Sequence, residues 1–112
     1  MQQKTSKKLT ELQQRKEGII PTIVISETVQ GICQKLGKEV AEVCYAAIIK
    51  SGLQIDALAP TIAKQAGLLK SKYRNVPMGD CIIAATATAN QARILSDDPH
   101  FDLIKEAKRI WI

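Results

Sequence analysis

Short apolar runs alternate with segments of helical periodicity along the chain, and this alternation restricts the fold more than any other feature of the sequence. The runs are too brief for helices, and they lie at residues 19–20, 53–55, 93–95 and 109–112. The helical segments between them lie at residues 21–35, 39–50, 60–73 and 80–90. Strands joined by helical crossovers pair in parallel. The sequence therefore predicts an α/β fold with a short parallel sheet, whose first strand ends before Pro21, where a helix begins.

The helical segments differ in how much of their surface is apolar. Residues 39–50 have the apolar face of an amphipathic helix, formed by Val40, Val43, Cys44, Ala47 and Ile48. Residues 80–90 (DCIIAATATAN) are apolar on nearly every side, which predicts a helix packed on two sides. Its buried residues should include Ile83, Ala84 and Ala87. Residues 4–16 have a narrow apolar stripe and predict a marginal surface helix.

Length and composition exclude several classes of protein. A chain of 112 residues with 46% hydrophobic residues has the size and composition of one globular domain. No run approaches the roughly 20 apolar residues of a membrane span, and the basic, polar N-terminus has no apolar signal segment. We therefore predict a cytoplasmic protein without membrane contact. The cysteines (Cys33, Cys44 and Cys81) form no CxxC pair and favour buried thiols. The formal charge of +5 favours a polyanionic partner.

Three acidic positions are unusual for their surroundings. Glu27 lies in the apolar stretch TIVISETVQGI, Asp80 opens the apolar helix, and Asp97 and Asp98 follow a short strand. Residues just beyond the carboxyl ends of parallel strands line the ligand crevice of an open sheet. Each position also has a structural interpretation: a helix N-cap for Asp98 before Pro99, a favourable helix dipole for Asp80, and a solvent-facing position for Glu27. Together they can converge on a site for a hard divalent cation.

The run VPMGDCIIAATATANQARILSDDPHF resembles the C-terminal signature of PIN domains. That signature is a helix opened by Asp, a short strand, and then Ser/Thr-x-Asp-x-x-Phe. Its members here are Asp80, Ser96, Asp98 and Phe101. Upstream, IIPTIVISE resembles the strand, proline and helix of the family that carry an essential Glu, here Glu27. AKQAGLLKSKYRNVPMGD is similar to the penultimate helix of the family, so the resemblance covers nearly the whole chain.

One part of the family's pattern has no counterpart in this sequence. PIN domains begin with a strand that ends in Asp-Thr or Asp-Ser, and that Asp is the family's first metal ligand. No acidic residue precedes Glu11 here, and the opening residues are polar and basic. The resemblance therefore implies a single PIN-like domain over residues 1–112 that is N-terminally incomplete relative to the family. Without the first Asp, we expect impaired catalysis.

The resemblance implies a three-layer α/β/α fold of the 5′-nuclease type and hydrolysis of phosphodiester bonds in RNA with Mg²⁺ or Mn²⁺. A bound divalent ion activates an attacking water and neutralises charge on the phosphoryl oxygens. The implied catalytic residues and metal ligands are Glu27, Asp80 and Asp98, and Asp97 is a further candidate ligand. Ser96 can orient a ligand carboxylate or a phosphate.

Basic residues upstream of Pro77 are candidate contacts to the RNA backbone. Lys70, Lys72 and Arg74 cluster there, whereas aromatic residues make up only 4% of the chain and offer little stacking on bases. The same lysines also suit the solvated face of a helix. His100 is expected at a helix start with a structural role.

We interpret the chain as a PIN-domain ribonuclease that is most similar to VapC-type toxins. The resemblance implies that an antitoxin protein covers the cleft and that the domains form homodimers. An alternative is a non-catalytic PIN-like module that binds RNA or a protein partner, which the missing Asp favours. A phosphoacceptor receiver domain, suggested by Asp97 and Asp98 after a strand, is disfavoured. The sequence has no further Asp at the end of a central strand and no later strand that ends in Lys.

Overall fold

The structure is a computed structural model that describes residues 18–95, 99–107 and 109–110. Its elements follow the chain in the order β1 (Ile19–Pro21), α1 (Thr22–Leu36), α2 (Lys38–Ile49), β2 (Gln54–Asp56), α3 (Pro60–Lys72), α4 (Met78–Ala89), β3 (Ile94–Leu95), a 3₁₀-helix (Pro99–Leu103) and β4 (Arg109–Ile110). The chain divides into two compact units, Met1–Ala57 and Leu58–Ile112. The predicted α/β class is confirmed. The helix predicted at residues 4–16 lies outside the described residues.

Both pairs of strands are parallel. In the N-terminal unit β1 pairs with β2, and Ile20 lies opposite Ile55. In the C-terminal unit β3 pairs with β4, and Ile94 lies opposite Arg109. Each pair is joined by a helical connection, which parallel strands require because a tight turn cannot link them. The predicted parallel pairing is confirmed. No helix in the described part of the chain has the length and apolar character needed to cross a membrane.

The boundary between β1 and α1 differs from the predicted one by a single residue. Pro21 ends β1 opposite Asp56, and its backbone is extended, with φ −64° and ψ 142°. The helix therefore begins at Thr22 rather than at Pro21. Proline has no N–H to donate and a fixed φ near −65°, so it suits both the end of an edge strand and the residue before a helix.

Gly37 is the only residue between α1 and α2. Its backbone has φ 94° and ψ 169°, a region that residues with a Cβ rarely occupy. Its N–H donates to the carbonyl of Cys33 at 3.0 Å, and its carbonyl accepts the N–H of Ala41 at 3.2 Å. One glycine therefore closes one helix and opens the next, and α1 packs against α2 as a helical hairpin.

The predicted apolar face of α2 lies largely at the surface. Val43 is 69% exposed and Val40 is 39% exposed, while Cys44 and Ile48 are half-buried. Within the described part of the N-terminal unit, the buried apolar residue is Ala41, which was not predicted. The predicted helix is therefore present, but most of its apolar face is not buried. Apolar periodicity identifies a stripe on a helix, but it does not specify what covers that stripe.

The C-terminal unit has its core around α4. The buried apolar cluster consists of Ala66, Leu69, Val76, Cys81, Ala84, Ala85, Ile94, Phe101 and Ile104. Ala84 is completely buried as predicted, whereas Ile83 and Ala87 are only half-buried. Thr86 is also buried, and its hydroxyl donates to the carbonyl of Ile82 at 2.8 Å. This bond to the preceding turn lets a threonine lie inside an apolar helix without an unpaired hydroxyl.

The C-terminus of α4 is closed by a Schellman motif. The N–H of Ala92 donates to the carbonyl of Ala87 at 2.8 Å, and the N–H of Gln91 donates to that of Thr88 at 3.1 Å. Gln91 has φ 53°, the left-handed conformation in which this motif usually has glycine. The chain therefore carries a local strain at this turn, which leads from α4 into β3.

Candidate active site

Asp80 lies in the first turn of α4. The helix begins at Met78, two residues earlier than predicted, because Pro77 has an extended backbone and its carbonyl accepts the N–H of Cys81 at 3.1 Å. Pro77, and not Asp80, is therefore the N-cap residue. A carboxylate in the first turn is stabilised by the positive end of the helix dipole. The side chain of Asp80 is 15% exposed, so this carboxylate lies mostly away from solvent.

His100 lies beside Asp80. Its Nδ1 is 3.7 Å from Oδ2 of Asp80, and its side chain is 49% exposed. It is the second residue of the 3₁₀-helix, which agrees with the predicted position at a helix start. We expected only a structural role for His100, so sequence reasoning missed its place beside the acidic residue. The signal that could have found it is its position between Asp98 and Phe101 of the PIN signature.

The packing of the core brings Asp80 and His100 together. Phe101, next to His100, is 3% exposed, and Ile104 is 1% exposed. Both belong to the same buried cluster as Cys81, which follows Asp80 in α4. Close-packed cores shift little, so the buried neighbours Cys81 and Phe101 fix the backbone positions of Asp80 and His100.

Cys81 is a buried packing residue. Burial raises the pKa of the Cys81 thiol above its usual value; the positive charge of Lys70 lowers that pKa, and the negative charge of Asp80 raises it. Its Sγ donates to the carbonyl of Val76 at 3.9 Å. A protonated, buried thiol is a poor nucleophile. Of the three cysteines, which were predicted to be buried, Cys33 is exposed and Cys44 is half-buried.

Two of the three basic residues predicted to contact RNA bind other groups of the C-terminal unit. The Nζ of Lys70 donates to the carbonyls of Arg74 at 2.7 Å and Val76 at 2.9 Å, and so braces the turn between α3 and α4. The Nζ of Lys72 lies 3.1 Å from Oε2 of Glu106. Arg74 is exposed on the braced turn. Lys70 therefore has a structural role that the sequence did not reveal.

Glu106 connects the segment after the 3₁₀-helix to the end of α3. The hydroxyl of Tyr73 donates to Oε1 of Glu106 at 2.6 Å, and the N–H of Lys105 donates to the same hydroxyl at 3.3 Å. The bond from Tyr73 and the ion pair with Lys72 lower the pKa of the Glu106 carboxyl. The contact with Glu106 raises the pKa of Lys72. Because this ion pair is exposed, it contributes little to the free energy of folding. Its main effect is to orient the segment that contains Glu106.

The remaining predicted site residues are distributed as follows. Glu27 lies in the second turn of α1 in the N-terminal unit, and its side chain is exposed. Asp80 belongs to the C-terminal unit. Ser96, Asp97 and Asp98 lie outside the described residues. The convergence of Glu27, Asp80 and Asp98 on one cleft therefore stays a prediction.

A model of the PIN domain family matches residues 2–107. This chain belongs to the PIN domain family. A similar solved structure is that of VapBC2 from Rickettsia felis, bound to a DNA fragment from the VapBC2 promoter. The likeness has a TM-score of 0.69 and 21% sequence identity, and it covers 84% of this chain and 74% of that one. At this identity the likeness supports a shared fold. No curated protein matches the sequence.

PIN domains in general depend on a divalent metal, and the chemistry of Asp80 suits such an ion. A carboxylate oxygen is the donor that Mg²⁺ and Mn²⁺ prefer. Among residues 18–95, 99–107 and 109–110, no group of three or more His, Cys, Asp or Glu side chains forms a metal site. Asp98, a predicted ligand, lies outside the described residues.

Proposed function

We propose that this PIN domain is a Mg²⁺- or Mn²⁺-dependent endoribonuclease that acts as a VapC-like toxin of a toxin–antitoxin pair. The observation that carries the proposal is the family match over residues 2–107, with Asp80 at the start of a helix packed on the core. Asp80 corresponds to an acidic position of the PIN signature. Its carboxylate is mostly buried and supported by the helix dipole, so it is preorganised to bind a cation.

The proposed ligand set consists of Glu27, Asp80 and Asp98, with Asp97 as a further candidate. A bound divalent ion supplies an activated water and neutralises charge on the phosphoryl oxygens. The residues themselves hold the ion, and Asp80 does so from a first helical turn that favours its negative charge. Ser96 is proposed to orient a ligand carboxylate or a phosphate.

Among the basic residues, Arg74 is the strongest proposed contact to an RNA phosphate. Its side chain is exposed, and Lys70 braces the turn on which it lies. A guanidinium can bind a phosphate through two parallel hydrogen bonds. Lys72 is a second proposed contact because an exposed ion pair such as that with Glu106 is weak and can exchange its partner.

The test of this function is cleavage of single-stranded RNA in Mg²⁺ or Mn²⁺, with EDTA as the control. Residues 1–112 contain no acidic side chain before Glu11, so the family's leading Asp has no counterpart among them. We therefore expect these residues alone to cleave RNA weakly or not at all. Fusion to an upstream strand that ends in Asp should restore EDTA-sensitive cleavage.

Matched substitutions in the extended chain decide whether the proposed residues act. Asp80→Asn and Asp98→Asn should abolish cleavage because each removes a charged ligand. Glu39→Gln, on the exposed surface of α2, should leave it unchanged. Strong EDTA-sensitive cleavage by residues 1–112 would contradict the need for the leading Asp. No cleavage by the extended chain would contradict the ribonuclease proposal.

A second candidate function is a non-catalytic module that binds a protein partner. The helical hairpin exposes large apolar side chains, including Leu36 at 66% and Val43 at 69%. Exposed apolar patches commonly mark protein interaction sites. An antitoxin segment or a second copy of the chain in a homodimer is the proposed partner of these exposed side chains. An extended chain that forms a complex of defined stoichiometry with a protein but cleaves no RNA would favour this function.

A further inference from the structure

Asp80 and His100 lie on separate elements that the core of the C-terminal unit brings together. The carboxylate of Asp80 is mostly buried in the first turn of α4, whereas the imidazole of His100 is half-exposed on the 3₁₀-helix. The neighbours Cys81 and Phe101 belong to one buried cluster, so packing sets the separation of the two side chains. His100 therefore lies on the solvent side of a carboxylate that is itself shielded.

We propose that His100 is a positioning residue for Asp80: its Nδ1–H faces the carboxylate oxygen and selects one orientation of the Asp80 side chain. The role of that orientation in holding a metal ion rests on the proposed function, but the pairing itself does not.

The geometry explains how this pairing operates. The distance of 3.7 Å between Nδ1 and Oδ2 is longer than a direct hydrogen bond. It is short enough for attraction between the N–H dipole and the charge of the carboxylate. A shift of about 0.8 Å would bring the atoms to the usual N–H···O hydrogen-bond distance of about 2.9 Å. Hydrogen bonds of active-site residues are often long in structures without a ligand and tighten when it binds.

A carboxylate that binds a metal through one oxygen commonly uses the other to accept a hydrogen bond from a neighbouring residue. Such outer partners restrict the rotation of the ligand, and their removal typically costs about 10- to 100-fold in metal affinity. His100 is suited to this role because the next residue, Phe101, is buried in the core and the Nδ1 of His100 lies 3.7 Å from Oδ2 of Asp80.

The first experiment uses the fact that the chain contains one histidine, so its imidazole signals are assigned without ambiguity. The imidazole ¹⁵N shifts of the full chain are recorded in EDTA at one fixed alkaline pH. In the parent, the carboxylate should enrich the tautomer with the proton on Nδ1. Asp80→Ala should shift the population towards the tautomer with the proton on Nε2.

The control is Asp102→Ala, which removes an exposed carboxylate two positions away on the same 3₁₀-helix. It should leave the tautomer population of His100 unchanged. Identical ¹⁵N shifts in the parent and in Asp80→Ala would overturn the proposal. The proposal would also be overturned if Asp102→Ala, and not Asp80→Ala, changed the ¹⁵N shifts of His100. The partner of His100 would then lie on the same 3₁₀-helix.

The second experiment measures Mn²⁺ affinity by calorimetry in the extended chain that carries the leading Asp. His100→Ala should weaken Mn²⁺ binding by about 10-fold. His100→Asn, whose amide can still donate, should recover part of that loss. Equal affinity in all three proteins would overturn the positioning role. An extended chain that binds no Mn²⁺ would contradict the ribonuclease function, and the tautomer measurement would still decide the pairing.

Discussion

Replacement of Gly37 by alanine should lower the free energy of unfolding by about 1–3 kcal/mol. With φ 94° and ψ 169°, an added Cβ strains the backbone whatever space surrounds it. If the backbone relaxes instead, it loses two hydrogen bonds, from Gly37 to Cys33 and from Ala41 to Gly37. At about 0.5–1.5 kcal/mol each, these bonds give the same range. No described atom lies within 4 Å of the added Cβ, so a side-chain clash does not contribute.

The assay is urea denaturation followed by circular dichroism, and the midpoint should fall while the slope stays unchanged. The matched control is Gly67→Ala in the middle of α3, which is exposed and whose added Cβ also meets no described atom within 4 Å. Because alanine is the better helix former, this control should gain about 0.5–1 kcal/mol. The reasoning is refuted if Gly37→Ala unfolds at the midpoint of the parent, or if both substitutions destabilise equally.

Three further predictions concern the C-terminal unit. Ala84 is completely buried, so Ala84→Leu should overpack the core and cost about 1–3 kcal/mol in urea melts; a variant as stable as the parent would show spare volume around α4. Tyr73→Phe removes the hydroxyl that lowers the pKa of Glu106, so that pKa should rise towards its ordinary value of 4.5 in an NMR titration. Tyr73→Phe should therefore lower the free energy of unfolding above pH 4.5. This difference from the parent should vanish as the pH falls through the lowered folded-state pKa of Glu106, and a difference that grows towards acid would contradict the argument. Gln91→Gly relieves a left-handed residue with φ 53° and should raise stability by about 0.5–1 kcal/mol, whereas Gln65→Gly inside α3 should lower it by a similar amount. Thermal melts that show the same sign for both glycine variants would refute the conformational argument.

Much of the secondary structure could be predicted from the sequence. The alternation of short apolar runs with helical segments predicted parallel strands, and both described pairs are parallel. The boundary errors were small and have local causes: Pro21 extends β1, and Pro77 is the N-cap of a helix that begins at Met78, two residues before Asp80. The match to the PIN domain family confirms the resemblance read from the signature.

The partners of individual side chains could not be predicted in the same way. Lys70 and Lys72 were chosen as RNA contacts because they are basic and close in sequence. In the structure Lys70 binds two backbone carbonyls and Lys72 pairs with Glu106. The apolar stripe with Val40 and Val43 was predicted from periodicity, but its position at the surface was not. Charge and periodicity describe a residue, but they do not identify the groups that it contacts in the folded chain.

The sequence by itself determined the order of helices and strands, and it placed an acidic residue in the first turn of an apolar helix. These features depend on backbone preferences and side-chain periodicity over a few neighbouring residues. Only the tertiary structure decided that His100 lies beside Asp80 and that Lys72 meets Glu106, 34 residues further along. Such contacts arise when the 3₁₀-helix packs on α4 through Phe101, because a close-packed core determines which distant residues become neighbours.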